Sequence, residues 1–270
     1  MKAEPSGRRN VSESDLPPGS LNRAVMLLTA LARGSRKGSS LTELVARTAL
    51  PRPTIHRVLD LLITIGWIER DQQTSRFQLG ADLTALGYSA ISRHPIERIA
   101  ATELSTLAEK LDQVVYMNIR SGLDMVCIGR YETESQVQVG KGRVGMRGPF
   151  GMTQGCLAMF SRLPEAEVKE IVKANMSRYH RIEGFDERGF RKAVAEAMKT
   201  GYGTYDNIIL DRTTSGLGMP ICDPSGYPIA GIGTNYITGW LNDKQRQHCL
   251  LQLRQAASRI AQRLFSLHPE

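Results

Sequence analysis

A helix cannot run through Pro51-Arg52-Pro53, but one can begin there, because a proline in the first turn loses no hydrogen bond. That punctuation sets the layout of the first 80 residues. Upstream, Ser20 is placed to cap a helix over Leu21–Ala32, whose Leu21, Ala24, Val25, Leu28 and Leu31 recur at three and four. Gly34–Gly38 interrupts the pattern. Ser40 then starts a second helix, Leu41–Thr48, with Glu43 three positions on in the spacing of a capping box. Ala49-Leu50-Pro51 is a short turn, and Pro53 is read as the first residue of a third helix that Gly66 ends. In this helix Ile55, Val58, Leu59, Leu62 and Ile63 share one face, while Arg52, Thr54, His56, Arg57 and Asp60 lie on the other or at the open end. Two β-rich runs follow, Trp67–Arg70 and Arg76–Leu79, around the polar turn Asp71–Ser75. Three helices and a hairpin in this order predict a winged helix-turn-helix.

Charge points the same way. Residues 20–80 hold nine basic residues (Arg23, Arg33, Arg36, Lys37, Arg47, Arg52, Arg57, Arg70, Arg76) against Glu43, Asp60, Glu69 and Asp71. From Pro95 onward 22 basic residues face 19 acidic ones. The basic excess is therefore concentrated where it can meet phosphates. In a helix-turn-helix the N-terminal end of the second helix enters the major groove, where each base pair shows its own donor and acceptor pattern. The candidate DNA contacts are Arg52, Pro53, Thr54, His56 and Arg57 on that helix, Arg70 and Arg76 on the hairpin, and Arg23 and Ser39 elsewhere in the domain. An arginine can take guanine bidentately or hold a phosphate. His56 equally suits packing against the wing as a neutral imidazole.

A helical stretch, Ala81–Arg93, runs to His94-Pro95, where proline disfavours helix at the residue before it. The pattern restarts with a helix over Ile96–Leu111. Strands are expected at Val114–Ile119, Met125–Tyr131 and, more weakly, Val137–Val144, and Gly145–Gly155 reads as a loop. Helices are expected near Gln154–Ser161, Pro164–Asn175 and Asp186–Thr200, strands at Tyr202–Ile209, Gly216–Cys222 and Tyr227–Thr234, and a closing helix at Asn242–Ser266. The fold class is α+β, an N-terminal winged helix-turn-helix with a C-terminal domain on a mostly antiparallel sheet. The expected domains are a disordered arm (1–19), the DNA-binding domain (20–80), a linker helix (81–94) and an effector-binding and oligomerisation domain (95–270).

Hydrophobic residues at 41% and charged residues at 23% suit a globular protein with two cores. No apolar run approaches a membrane span, and the polar start lacks the apolar centre of a signal peptide, so the expected location is the cytoplasm. Cys127, Cys156, Cys222 and Cys249 are too far apart for a CxxC pair or a zinc finger. They are expected as reduced thiols, with no metal and no cofactor. Gly201-x-Gly203 and Gly231-x-Gly233 lack the third glycine and helix of a dinucleotide site, and Ser215-Gly216-Leu217-Gly218 is no nucleophile elbow. No catalytic residue is assigned. An enzyme and a winged-helix protein-docking module without DNA are the alternatives.

Ser20–Leu28, Leu50–Leu59, Gly66–Asp71 and Phe77–Gly80 together resemble the DNA-binding domain of IclR-type transcriptional regulators. The likeness continues through Val144–Phe160, Gly201–Gly203 and Pro220–Asn235. It implies a homodimer or dimer of dimers on a pseudo-palindromic double-stranded DNA operator, with a GAF-like domain whose small-molecule effector modulates binding. It also implies that the effector pocket is walled by Gly145–Leu157, Tyr205–Asn207 and the strands around Pro220 and Gly233–Asn235. The candidate ligand residues are Met146, Phe150, Met152, Thr153, Gly155, Cys156, Tyr205, Asp206, Gly216, Gly233 and Asn235. Backbone amides at the helix start near Gly155 are placed to take a carboxylate. The chain departs from the family pattern in four places. Gly151-Met152-Thr153-Gln154-Gly155 is one residue shorter than the usual loop and lacks its His-Ala-Thr run. Asn207–Leu210 replaces an acidic pair. Gly216 stands for a usual cysteine, and Gly233 and Asn235 for small hydroxyl residues. Met146, Phe150, Met152 and Tyr205 then suit a larger, apolar cavity for an aromatic or other mid-sized organic acid, or else simply a core.

Overall fold

The computed structural model of the protein describes residues 19–266 apart from 33, 36, 94–95, 135–138, 141 and 207–212; for 90–93 and 206 it describes the backbone alone. The expected arm therefore lies outside the described residues. The chain divides into two compact units, Met1–His94 and Pro95–Glu270.

In the first unit α1 (Ser20–Ala32), α2 (Leu41–Thr48) and α3 (Arg52–Thr64) enclose an apolar centre. Leu27 and Leu31 from α1, Leu44 from α2, and Ile55, Leu59 and Leu62 from α3 meet there with Ile68 and Phe77. Leu44 is fully buried; truncating such a side chain to alanine costs about 2–5 kcal/mol through lost transfer energy and the cavity left. The capping box forms as its spacing requires: Ser40 Oγ accepts from the Glu43 amide at 3.3 Å, and Glu43 Oε2 accepts from the Ser40 amide at 3.0 Å. Two helix starts differ from expectation by one residue. Ser20 is the first residue of α1 rather than its cap, since the Arg23 amide bonds back to the Gly19 carbonyl. Pro51 holds the cap position of α3, which puts Pro53 second in the helix. Gly66 closes α3, its amide on the Ile63 carbonyl and the next amide on Leu62. The wing is β1 (Ile68–Arg70) antiparallel to β2 (Phe77–Leu79), and Ser39 bridges to Phe77 as a third short pairing. Helix α4 (Asp82–Arg93) follows.

The second unit is built on a six-stranded sheet in the order β5-β4-β3-β8-β7-β6, with every pairing antiparallel. Its strands are β3 (Val115–Ser121), β4 (Asp124–Tyr131), β5 (Arg147–Pro149), β6 (Gly203–Asp206), β7 (Thr214–Cys222) and β8 (Pro228–Ile237). One face is covered by α5 (Ile96–Leu111) and α9 (Asp243–Ser266), whose Leu104, Leu107, Leu253 and Ile260 pack on Val115, Met117, Leu217, Met219 and Ile232. Glu103 is buried in that layer, which is tolerable because Arg259 donates to its Oε1 twice, at 2.9 and 2.7 Å. The other face carries α6 (Gln154–Phe160), α7 (Glu165–Tyr179) and α8 (Glu187–Thr200) over a second core of Phe150, Phe160, Tyr179 and Phe190.

Two expectations in this unit are corrected. Gly145–Gly155 is not wholly a loop, because Arg147–Pro149 pairs with Asp124–Val126 as an edge strand. The described residues between 139 and 144 form no strand; 137–138 and 141 of that expected run lie outside the described residues, as does the end of the Tyr202–Ile209 run.

Candidate nucleic-acid interface and effector site

Five of the expected DNA contacts lie together at the start of α3. Arg52, Pro53, His56 and Arg57 are exposed there, and Thr54 is partly so. The helix has no side-chain cap, so its first amides face outward with the partial positive charge of a helix N-terminus. Arg52 makes one long contact, 3.5 Å to Thr42. Arg23 of α1 joins this group: a shallow depression of about 220 Å³ is lined by Ser20, Arg23, Pro53, Thr54, Arg57, Val58 and Leu61. A phosphate-sized anion would there meet cationic residues from two helices.

The wing divides its arginines. Arg70 is exposed, 3.2 Å from Ser75 Oγ and 5.7 Å over the Phe77 ring. Arg76 differs from its expected role. Its Nε and Nη2 donate to the Gly38 carbonyl at 3.1 and 2.9 Å, and Nη2 also reaches both Glu43 oxygens at 2.9 and 2.7 Å. The guanidinium pins the wing to α2. The Arg76 hydrogen bond, and then the Ser40 amide, hold the Glu43 carboxyl below its usual range. Ser39 is corrected more sharply. It is fully buried, its backbone pairs with Phe77, and its Oγ accepts from Arg47 at 3.1 Å, so the side chain has no path to DNA. Arg47 also bonds the Ala30 carbonyl at 3.2 Å, so its exposed side chain is tied back onto the domain. Beside the wing, Lys37 was not singled out from the sequence; it lines a depression of about 420 Å³ with Ser35, Asp71, Thr74, Arg76 and Gln78.

In the second unit the segments expected to wall an effector pocket do meet on one sheet face, though in a different arrangement. Phe150, Met152, Cys156 and Tyr205 are packed in the core with Phe160 and Phe190. Phe150 sits edge-on to Phe160 at 5.1 Å. The hydroxyls of Tyr205 and Tyr179 donate to the Gly151 and Phe150 carbonyls and fix the loop before α6. Burial pushes the Cys156 thiol up to about 12 and keeps it neutral. Thr153 caps α6, its Oγ1 accepting from the Cys156 amide at 3.3 Å. The side chain of Asp206 lies outside the described residues.

The start of α6 lies flat on glycines. A Cβ on Gly218 would stand 2.6 Å from the Gly155 nitrogen, and one on Gly155 would stand 3.0 Å from the Gly231 carbonyl. Sheet backbone thus covers the amide expected to receive a carboxylate. Gln154, which sequence reasoning missed, is buried over the strands, and its Nε2 donates to the Thr234 carbonyl at 3.0 Å. Its carboxamide fills the space above Gly216 and Gly233. Asn235 stands next to it, and Met146 packs at the edge on Tyr116 and Cys127. The signal was available in the sequence: alternating glycines at 216 and 218 and at 231 and 233 put bare backbone on one face of two strands.

Residues 20–72 match the model of the IclR helix-turn-helix domain, and residues 88–262 match that of the bacterial transcriptional regulator IclR C-terminal region. Among similar proteins are the HTH-type transcriptional regulator KdgR of Escherichia coli, 21% identical over 252 residues (93% of this chain, 95% of that protein), and the Pca regulon regulatory protein of Pseudomonas putida, 22% identical over 249 residues (88% and 84%). Among solved structures, an IclR regulator from Alicyclobacillus acidocaldarius matches with TM-score 0.73 at 19% identity, covering 90% of this chain and 97% of that one. An IclR homolog from Microbacterium hydrocarbonoxydans, complexed with 4-hydroxybenzoate, matches with TM-score 0.73 at 19% identity over 92% and 100%. With both family models matched in order along the chain, this protein belongs to the IclR family of helix-turn-helix transcriptional regulators.

Proposed function

We propose that this regulator binds a pseudo-palindromic operator as a homodimer or dimer of dimers in the cytoplasm, and that an aromatic or other mid-sized organic acid changes its affinity for that site. Residues 20–80 bind DNA, 81–94 form the linker helix, and 95–270 bind effector and associate. The observation that carries the DNA part is the open start of α3, where His56 and Arg57 are exposed and make no hydrogen bond or ion pair among the described residues. Recognition helices enter the major groove by that end. Arg70 on the wing and Arg23 on α1 are placed for backbone contacts. Leu86 and Tyr88, exposed on α4, supply an apolar surface for a second copy.

The effector part rests on the match of residues 88–262 to the IclR C-terminal region and on the 4-hydroxybenzoate complex of the Microbacterium homolog. A ligand alters DNA binding only if its affinity differs between the competent and incompetent arrangements. Fluorescence anisotropy with the DNA beside the protein's own gene, titrated with salt, tests the first part. Several phosphate contacts give a log–log slope of about −0.9 per contact. A slope near zero favours the second reading, a protein-docking module, which the exposed Leu21, Leu61 and Ile65 would serve. Calorimetry tests the effector class: benzoate-like acids bind, and exclusive binding of two- or three-carbon acids such as glyoxylate refutes it.

A further inference from the structure

Beside the wing stands a cation that the packing of the domain does not use. Lys37, in the connection between α1 and α2, is exposed, and among the described residues its ammonium makes no hydrogen bond or ion pair. Its backbone is nonetheless fixed from both sides. The Lys37 amide donates to Ser35 Oγ at 3.1 Å, and the Gly38 amide donates to the Ser35 carbonyl at 2.9 Å, which closes a tight turn. Gly38 leaves that turn at φ 79°, a conformation that favours glycine. The Arg76 guanidinium then holds the Gly38 carbonyl, while Glu43 cancels the arginine's charge. The wing arginine is thus committed to placing the loop, and Lys37 brings an unpaired charge next to it.

That charge stands at a concave surface. The depression of about 420 Å³ that Lys37 lines with Ser35, Asp71, Thr74, Arg76 and Gln78 shares no residue with the one at the start of α3. Two consecutive residues in the first turn of α2 join the two regions: Arg52 of α3 contacts Thr42, and Arg76 of the wing contacts Glu43. Ser35 and Thr74 add exposed hydroxyls, groups that commonly bond phosphate oxygens. Asp71 is the acid on this lining, and its Oδ1 is turned to the Gln73 and Thr74 amides at 2.9 and 2.7 Å, where it holds the wing's turn. A duplex presents one phosphate per about 3.4 Å of axis on each strand, so two separate cationic seats joined by one helix turn fit a duplex better than a single free anion. We propose that Lys37, with the hydroxyls of Ser35 and Thr74, holds a backbone phosphate of the operator beside the wing, as a contact separate from the one at the start of α3. The contact carries no sequence information, because a lysine ammonium meets a phosphate as a point charge. The α1–α2 connection, and not Arg76, is then the backbone anchor on this side of the domain.

This inference rests on the DNA-binding reading above, and one titration separates the two. Full-length wild type, Lys37→Ala, Lys37→Glu and Asp71→Asn are titrated by fluorescence anisotropy against the DNA beside the protein's own gene and against an unrelated duplex of equal length, from about 50 to 200 mM salt. Lys37→Ala should lower affinity about two- to fivefold on both duplexes and flatten the log–log salt slope by about 0.9 for each protomer bound. Lys37→Glu should go further in the same direction. Asp71→Asn keeps an oxygen for the two turn amides and removes the opposing charge, so affinity should rise on both duplexes. Both Lys37 variants should keep the wild-type melting temperature; a purely structural role would move it and leave the salt slope alone. If wild type binds with a salt-dependent affinity and both Lys37 variants match it in affinity and slope, the assignment falls and the DNA-binding reading stands. A loss confined to one duplex makes Lys37 a base reader and overturns the assignment, as does a loss at Lys37 without a gain at Asp71. If wild type itself shows a slope near zero, both fall.

Discussion

Replacing Gly218 with alanine tests the packing of α6 on the sheet. The added Cβ would lie 2.6 Å from the Gly155 nitrogen and nearer still to the Gln154 carbonyl. An ordinary carbon–nitrogen contact is about 3.5 Å, so α6 must lift by roughly 0.9 Å or the strand must bow. Both neighbours are backbone, and all seven residues of α6 are buried, so no flexible side chain can swing aside. Overpacking of this kind costs about 1–3 kcal/mol, and rigid surroundings place it at the upper end. For a unit of this size each kcal/mol shifts the midpoint by about 2–4 °C, so the second unit should melt about 4–12 °C lower. Differential scanning calorimetry of the full chain reads it, with Gly148→Ala as control, since a Cβ there meets only Met125 Cε at 3.7 Å. Equal midpoints for Gly218→Ala and wild type would refute the backbone-on-backbone contact.

Three further outcomes are expected. Arg57→Ala should weaken operator binding by about 1–3 kcal/mol if the residue reads a base, while Ser39→Ala should lower the melting temperature of the first unit and leave operator affinity unchanged; anisotropy and calorimetry on both variants check this. The depressed Glu43 carboxyl contributes stability that is present above its unfolded value near 4.5 and is lost as pH falls through the folded value, so Glu43→Gln should flatten the acid limb of the first unit's melting-temperature profile. Of the four thiols only Cys222 is partly exposed, whereas burial raises Cys127 to about 11 and Cys156 and Cys249 to about 12. A disulfide reagent at neutral pH should therefore label Cys222 first and the others only on unfolding, as peptide mass mapping would show.

What was legible in the sequence was local. Ser40 with Glu43, the prolines at 51 and 53, and Gly66 each act within one turn of chain, and they placed the three helices to within a residue. The hairpin and the sheet-forming runs were readable by alternation. What was missed depends on partners far along the chain. Strand β5 exists because Arg147–Pro149 finds β4 some twenty residues back, and Arg147 then donates to Asp124 at 3.2 and 3.0 Å. Arg76 looked like a free cation because its partners, Gly38 and Glu43, are 38 and 33 residues away. The apolar residues near α6 were readable as pocket or core, and packing decided for core in Phe150, Met152, Cys156 and Tyr205.

Strand β5 also bears on how copies of this chain can meet. A sheet edge offers a row of unpaired amides and carbonyls that another strand can extend. Here the outermost strand on one side is three residues long, ends in Pro149, which has no amide to donate, and carries Arg147 tied back to Asp124. So short and donor-poor a border is a weak template for edge-to-edge addition. Any self-association on that side would then use side-chain surfaces rather than a continued sheet.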